Sequence, residues 1–209
     1  MAVHDWHDAD TDDEDAELTL ISVDGVGAYD NITRESMLSE LAKLPGASAI
    51  LPFVLLSYGR TSTYVFRMAD GETETIVQAE GGEQGDPLMP LLYCLGAKRA
   101  MDKIGEQLQD GEHLFAYLDD VYALCKPARV KPVYDAIARA LQEENNISLH
   151  GAKTQIWNKA GVKPAAIDQL GGEVWSPHGA KVLGTPVGDA TSVAAHTAER
   201  MEAERELLD

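Results

Sequence analysis

A chain of 209 residues, 44% of them apolar, is long enough to bury one core of ordinary size and too apolar to be disordered throughout. Two cysteines cannot build a disulfide framework, and no apolar run reaches the roughly 18 residues of a membrane span, Leu51 to Leu56 being far too short. With 35 acids against 17 Lys and Arg the formal charge is -18, which argues against a nucleic-acid partner, normally met by a basic surface.

Along the chain that charge is uneven. Residues 1–17 carry eight acids and no Lys or Arg, the pattern of an acidic, disordered, solubilising tail. The opening MAVHDWHDAD lacks the basic region and apolar stretch of a secretory signal, so a soluble intracellular protein, cytoplasmic or nuclear, is expected. Leu18 to Asp24 reads as a buried strand ending in a polar turn, and Ile32 to Lys43 as a helix capped by Thr33 or Asn31. Pro45 to Tyr58 reads as a more buried helix, kinked or divided at Pro52. Thr61 to Met68 and Thr73 to Gln78 alternate as a hairpin around Ala69-Asp70-Gly71. After a Gly-rich loop from Ala79 to Gly85, Asp86-Pro87 is expected to open a long helix to about Leu108, with Asp86 as N-cap.

Leu114 to Leu118 and Val121 to Cys125 form a second tight hairpin turning at Asp119-Asp120. Val130, Val133, Tyr134, Ile137, Ala138 and Leu141 recur as one helix face. Lys153 to Trp157 and Lys181 to Leu183 are short strands, and Ala190 to Leu208 is a charged, thinly apolar helix. The order is α+β, with helices on one face of an antiparallel sheet. Residues 18–188 form one domain; 189–209 are a charged helix that starts a connection to something further.

Three carboxylates sit where strands end: Asp24 closes the first, and Asp119 and Asp120 occupy the hairpin turn. Brought to one sheet edge they would repel unless a cation lay among them. Mg²⁺ suits so few carboxylates, because water and phosphate complete its shell. Two such ions roughly 3.5–4 Å apart support phosphoryl transfer, a chemistry of positioning and charge neutralisation. Each piece also has a plainer explanation. Asp-Asp is ordinary turn chemistry, Asp24-Gly25 a strand-ending turn, Cys94 and Cys125 core residues, and six histidines show no ligand spacing.

Taken in order, VDGVGAYD (Val23–Asp30), EGGEQGDPLMPLLY (Glu80–Tyr93), FAYLDDVYAL (Phe115–Leu124), HGAKTQIW (His150–Trp157) and VLG (Val182–Gly184) resemble the palm of reverse transcriptases, RNA-directed DNA polymerases, most closely of the non-LTR retrotransposon type. The resemblance runs from about Leu18 to Gly188. It implies a ferredoxin-like or RRM-like palm sheet, and two Mg²⁺ ions (Mn²⁺ a substitute) held by Asp24, Asp119, Asp120 and the Gly25 carbonyl. It further implies Tyr29 as the aromatic gate under the sugar, and Gln84 and Gly85 in a loop touching template and nucleotide. Tyr117 would lie beside the primer end, Lys153 would be the general acid at the pyrophosphate, and Leu183-Gly184 the primer grip. The implied partners are an RNA or DNA template with primer, and deoxynucleoside triphosphates.

The chain departs from the family at its ends: nothing before Leu18 resembles the basic fingers, and nothing after the last helix resembles a thumb. Glu83 stands where many relatives carry a basic residue. Two competing readings are a catalytically silent palm remnant acting as a binding or structural module, and a palm-fold nucleotide cyclase. The second leans on Gly81-Gly82-Glu83 but leaves Gln84-Gly85-Asp86-Pro87 and Lys153 unexplained. Between 18 and 195 there are 22 acids and 15 bases, so the palm itself carries only -7, part of it the carboxylate cluster.

Overall fold

The computed structural model describes residues 18–171 and 173–206; the acidic segment 1–17 lies outside the described residues. They fall into two compact units. One draws on residues 18–24, 107–136, 149–171 and 173–206, the other on Gly25–Glu106 and Ile137–Ser148.

The first unit is built on a four-stranded antiparallel sheet of β1 (Thr19–Asp24), β4 (His113–Tyr117), β5 (Asp120–Cys125) and β6 (Gln155–Asn158), in the order β4-β5-β1-β6. Taken in chain order these strands lie 2-3-1-4 with helices between the first and second and between the third and fourth, the βαββαβ arrangement of a ferredoxin-like sheet. β1 is central, pairing β5 from Thr19↔Cys125 to Asp24↔Asp120 and β6 from Thr19↔Asn158 to Ser22↔Gln155. Because side chains alternate, Leu20 of β1, Leu18 just before it, and Tyr122 and Leu124 of β5 share one face. They cluster there with Trp157 and with Ala180, Val182 and Val187 of a second hairpin, β7 (Gly179–Val182) and β8 (Thr185–Gly188). Leu20 and Leu124 are fully buried, each contributing about 1.5–3 kcal/mol. The same face carries Asp24 and Asp120 at its open end, so the apolar cluster sets where the carboxylates sit.

In the second unit α1 (Ala28–Asn31) leads into α2 (Arg34–Lys43), whose N-cap Thr33 accepts a hydrogen bond from the Ser36 N–H. The Pro45–Tyr58 stretch divides into a 3₁₀ turn (Ala47–Ala49) and α3 (Leu51–Tyr58). Pro52 opens the helix, where a missing N–H costs nothing, and does not kink it. α4 (Met89–Gly105) begins two residues later than expected. Asp86 Oδ1 accepts the Leu88 N–H in a turn before the helix, and Pro90 takes the early-helix position assigned to Pro87. Gly96 lets α4 approach α2: a Cβ there would lie 2.8 Å from Ile32 and 2.9 Å from Met37. Buried Asn145 donates to the Gly96 carbonyl at 2.8 Å, near the end of α5 (Val130–Asn145).

β2 (Ser62–Arg67) and β3 (Thr73–Gln78) form the expected hairpin, closed where Met68 N–H meets the Glu72 carbonyl. It is a bare ribbon, with Val65, Phe66, Ile76 and Val77 all at least half exposed. The chain's last described element is α6 (Ala190–Glu206). Among the described residues, no helix is long and apolar enough to cross a membrane.

Candidate active site

The β4–β5 hairpin turns one residue earlier than the sequence pattern suggests. Tyr117 pairs Asp120, so Leu118 and Asp119 form the turn and Asp120 is the first residue of β5. Leu118 reverses the chain with φ +55°, a left-handed conformation that costs a leucine about 1–2 kcal/mol. This tight turn aligns Asp120 with Asp24 directly across the β1–β5 ladder and leaves Asp119 beside it. Burial first, then the charges of Asp119 and Asp24, raise the Asp120 carboxyl above its ordinary range; a hydrogen bond with Tyr122 and the charge of Lys153 act the other way.

Lys153 ends a 3₁₀ turn (Gly151–Lys153) just before β6, not within a strand, and its N–H donates to the His150 carbonyl at 3.0 Å. The His150 N–H in turn donates to the Asp24 carbonyl at 2.8 Å. That anchoring brings the Lys153 ammonium 3.1 Å from Asp24 Oδ2. Tyr117 is 60% exposed at the end of β4. Leu183 and Gly184 make the tight turn of the β7–β8 hairpin, both with positive φ (50° and 75°), as a type I′ turn requires. The Leu183 N–H donates to the Tyr122 hydroxyl at 3.0 Å. Tyr122 thus links the Leu183 turn to Asp120. Its place two residues after Asp120 puts it on the same face of β5, the one signal in the sequence that could mark it.

The remaining candidates belong to the second unit. A Cβ on Gly25 would meet Ile147 at 2.7 Å, so only glycine fits there. Tyr29, on α1, stacks flat on Tyr93 with ring centroids 4.7 Å apart, and its carbonyl accepts the Gly82 N–H at 3.0 Å. Gln84 is exposed, and Gly85 takes φ +98° with open space about its Cα.

Among the described residues no three His, Cys, Asp or Glu side chains form a ready-made metal cage. The donor set nevertheless fits a hydrated divalent cation. Asp24 and Asp120 stand opposite each other, Asp119 adjoins them, and their mutual repulsion is what a cation would relieve.

With this geometry in view, comparison with known proteins is decisive. Residues 2–187 match the family model described as reverse transcriptase (RNA-dependent DNA polymerase). The chain belongs to the reverse transcriptase family. It is 28% identical over 143 residues to the retrotransposable element SLACS 132 kDa protein of Trypanosoma brucei gambiense, a stretch covering 68% of this chain and 12% of that protein. This agrees with the retrotransposon type read from the motif order. Among solved structures, telomerase from Candida tropicalis in complex with a TWJ fragment of telomeric RNA superposes with a TM-score of 0.58. The identity is 14%, over 82% of this chain and 28% of that one. The corresponding Candida albicans telomerase gives 0.55 at 13% identity, over 84% and 31%. These likenesses show the polymerase palm fold, and the chain spans less than a third of the length of each relative. Reverse transcriptases as a family use divalent metal ions.

Proposed function

We propose that residues 18–188 are the catalytic palm of a retrotransposon-type RNA-directed DNA polymerase, joining deoxynucleotides to a primer on a nucleic-acid template. The observation that carries this reading is the facing of Asp24 and Asp120 across one strand pair with Asp119 in the adjoining turn, on a βαββαβ sheet. Two Mg²⁺ ions, with Mn²⁺ able to replace them, would be held by Asp24, Asp119, Asp120 and the Gly25 carbonyl. They would supply Lewis-acid activation of the primer 3′-hydroxyl and charge neutralisation at the triphosphate. In the reaction the primer 3′-hydroxyl gives up its proton to solvent, its oxygen bonds to the α-phosphorus and the bond to pyrophosphate breaks. Lys153, as its ammonium, donates the proton to the departing pyrophosphate. Tyr29, backed by Tyr93, excludes a ribose 2′-hydroxyl, and Gln84 and Gly85 contact the template and the incoming nucleotide. Tyr117 and the Leu183-Gly184 turn hold the primer end.

Primer extension on an RNA template with Mg²⁺ or Mn²⁺ tests this, with Asp119→Asn as the inactive control. Absence of extension by the folded parent with both metals refutes it for this chain. One observation favours the second reading, a silent palm: the Lys153 ammonium already neutralises Asp24. A silent palm would still bind divalent cations weakly at the three aspartates, and a calorimetric Mg²⁺ titration giving the same trace for the parent and for Asp24→Asn would refute a formed metal site.

A further inference from the structure

Arg34 opens α2 and is only 5% exposed. A buried guanidinium carries a desolvation cost that a well-packed apolar side chain avoids, so its contacts point to what it holds in place. Its Nε donates to the Gly81 carbonyl at 2.9 Å, Nη1 to the Arg60 carbonyl at 2.6 Å, and Nη2 to the Ser62 hydroxyl at 3.2 Å. Its own N–H donates to Glu80 Oε2 at 2.6 Å. The guanidinium also lies 5.4 Å from the ring centre of Tyr58, whose hydroxyl donates to Asp86 Oδ2. Burial and the Asp86 carboxylate push that hydroxyl up to about 12, so it remains a donor throughout the neutral range.

Arg34 therefore reaches both ends of the Gly81–Gly85 loop, Gly81 directly and Asp86 through Tyr58. The near end of the loop is also bonded to the backbone around Tyr29. Gly81 N–H donates to the Ile32 carbonyl at 2.8 Å and Gly82 N–H to the Tyr29 carbonyl at 3.0 Å. A Cβ on Gly81 would fall on the carbonyl oxygens of Tyr29 and Asp30, so the approach admits only glycine, in its left-handed φ of +64°.

We infer that Arg34 is a positioning residue for nucleotide selection, clamping the Gly81–Gly85 loop against the Tyr29 backbone so that loop and gate meet the incoming nucleotide as one piece. The inference rests on the polymerase reading above. Lysine at this position keeps the charge but not the planar fork that reaches three acceptors at once.

The test uses the full chain as parent, Arg34→Lys and Tyr58→Phe, the last cutting the hydroxyl's links to Asp86 and to the Glu83 backbone. Single-nucleotide incorporation is measured with deoxy- and ribonucleoside triphosphates, and amide hydrogen exchange is followed at Gly81 and Gly82. For Arg34→Lys we expect KM for the deoxynucleotide to rise about ten-fold with kcat within about two-fold, and selectivity against the ribonucleotide to fall about ten-fold. Exchange at Gly81 and Gly82 should quicken while β1 and β5 amides stay protected. Tyr58→Phe should shift the same quantities in the same direction by less. A folded Arg34→Lys enzyme with unchanged KM and selectivity overturns the inference, as does a fall in kcat alone. If the parent incorporates nothing, the polymerase reading falls and takes the selectivity role with it. Exchange then decides the clamp separately, and unaltered Gly81 and Gly82 protection removes that too.

Discussion

Replacing Asp120 by Asn should make the metal-free protein more stable while abolishing the proposed polymerase chemistry. Asp120 faces Asp24 directly across the strand pair and adjoins Asp119, and its carboxyl is raised by burial first and by those two charges next. A carboxyl raised in the folded state is easier to protonate there than in the unfolded chain, so its ionised form opposes folding. That opposition is complete above the folded pKa and fades as pH falls towards the unfolded value of about 3.9. Like charges facing each other across an antiparallel pair each cost about 0.2–1 kcal/mol, and Lys153 offsets part of the sum. The expected gain for Asp120→Asn at pH 7 is therefore about 0.5–1.5 kcal/mol, or roughly 2–4 °C in Tm per kcal/mol for a chain of this size. Asn retains an acceptor for Tyr122, so the link to the Leu183 turn survives. Thermal or urea unfolding in chelator at pH 7 and again near pH 3.5 measures the effect, which should shrink at the lower pH. Adding Mg²⁺ at ten times its Kd should stabilise the parent alone by about 1.4 kcal/mol and close or reverse the gap. An Asn variant no more stable than the parent at pH 7 without metal, or a gain undiminished by acid, refutes the reasoning.

Leu183→Asn creates the Asn-Gly pair that a type I′ turn prefers and should stabilise the β7–β8 hairpin by about 0.5–1 kcal/mol in urea unfolding. Because it also removes an exposed apolar side chain from the proposed primer grip, primer KM should rise in extension assays. Glu112, its side chain 2% exposed, accepts from Arg129 Nε at 3.0 Å, from Nη2 at 3.2 Å and from the Gln109 N–H at 2.8 Å. Glu112→Gln should cost about 2–3 kcal/mol, less than a fully buried pair because Arg129 is 24% exposed; a loss under about 0.5 kcal/mol in urea unfolding would contradict that pairing. Cys94 is exposed, whereas burial and the Glu112 charge push the Cys125 thiol up to about 12. A thiol reagent at pH 8 should therefore titrate one cysteine in the native protein and two in denaturant.

Much of the sheet was legible because its strands obey simple periodicity. Leu18–Asp24 and Val121–Cys125 alternate or run apolar up to a carboxylate, and that boundary marks the site. The turn at Asp119 was misplaced by one residue because Leu118, a poor turn former by propensity, takes the left-handed position under the constraint of the ladder. Asp86-Pro87 resembled a helix start, and the helix began later because Asp86 spends its carboxylate on the turn before it and on Tyr58. β8 escaped notice because Thr185-Pro186-Val187-Gly188 has a proline and a glycine in four residues, tolerable only in a short outer strand. Arg34 could not be found from the sequence. A charged residue at the first position of a helix reads as solvated, and its burial depends on partners 26 to 47 residues away.

The bare β2–β3 ribbon bears on how the protein behaves in a tube. Each of its two strands has one edge bonded to the other and one edge open, and apolar side chains stand out along it. Such a surface invites strand addition from a neighbouring molecule. Opposing it are the charges set along the ribbon (Arg67, Glu72 and Glu74) and the mutual repulsion of chains that each carry -18. Salt removes that repulsion, since the screening length falls to about 3 Å at 1 M. High salt should therefore favour association of these molecules, and dilute buffer of low ionic strength should keep them apart.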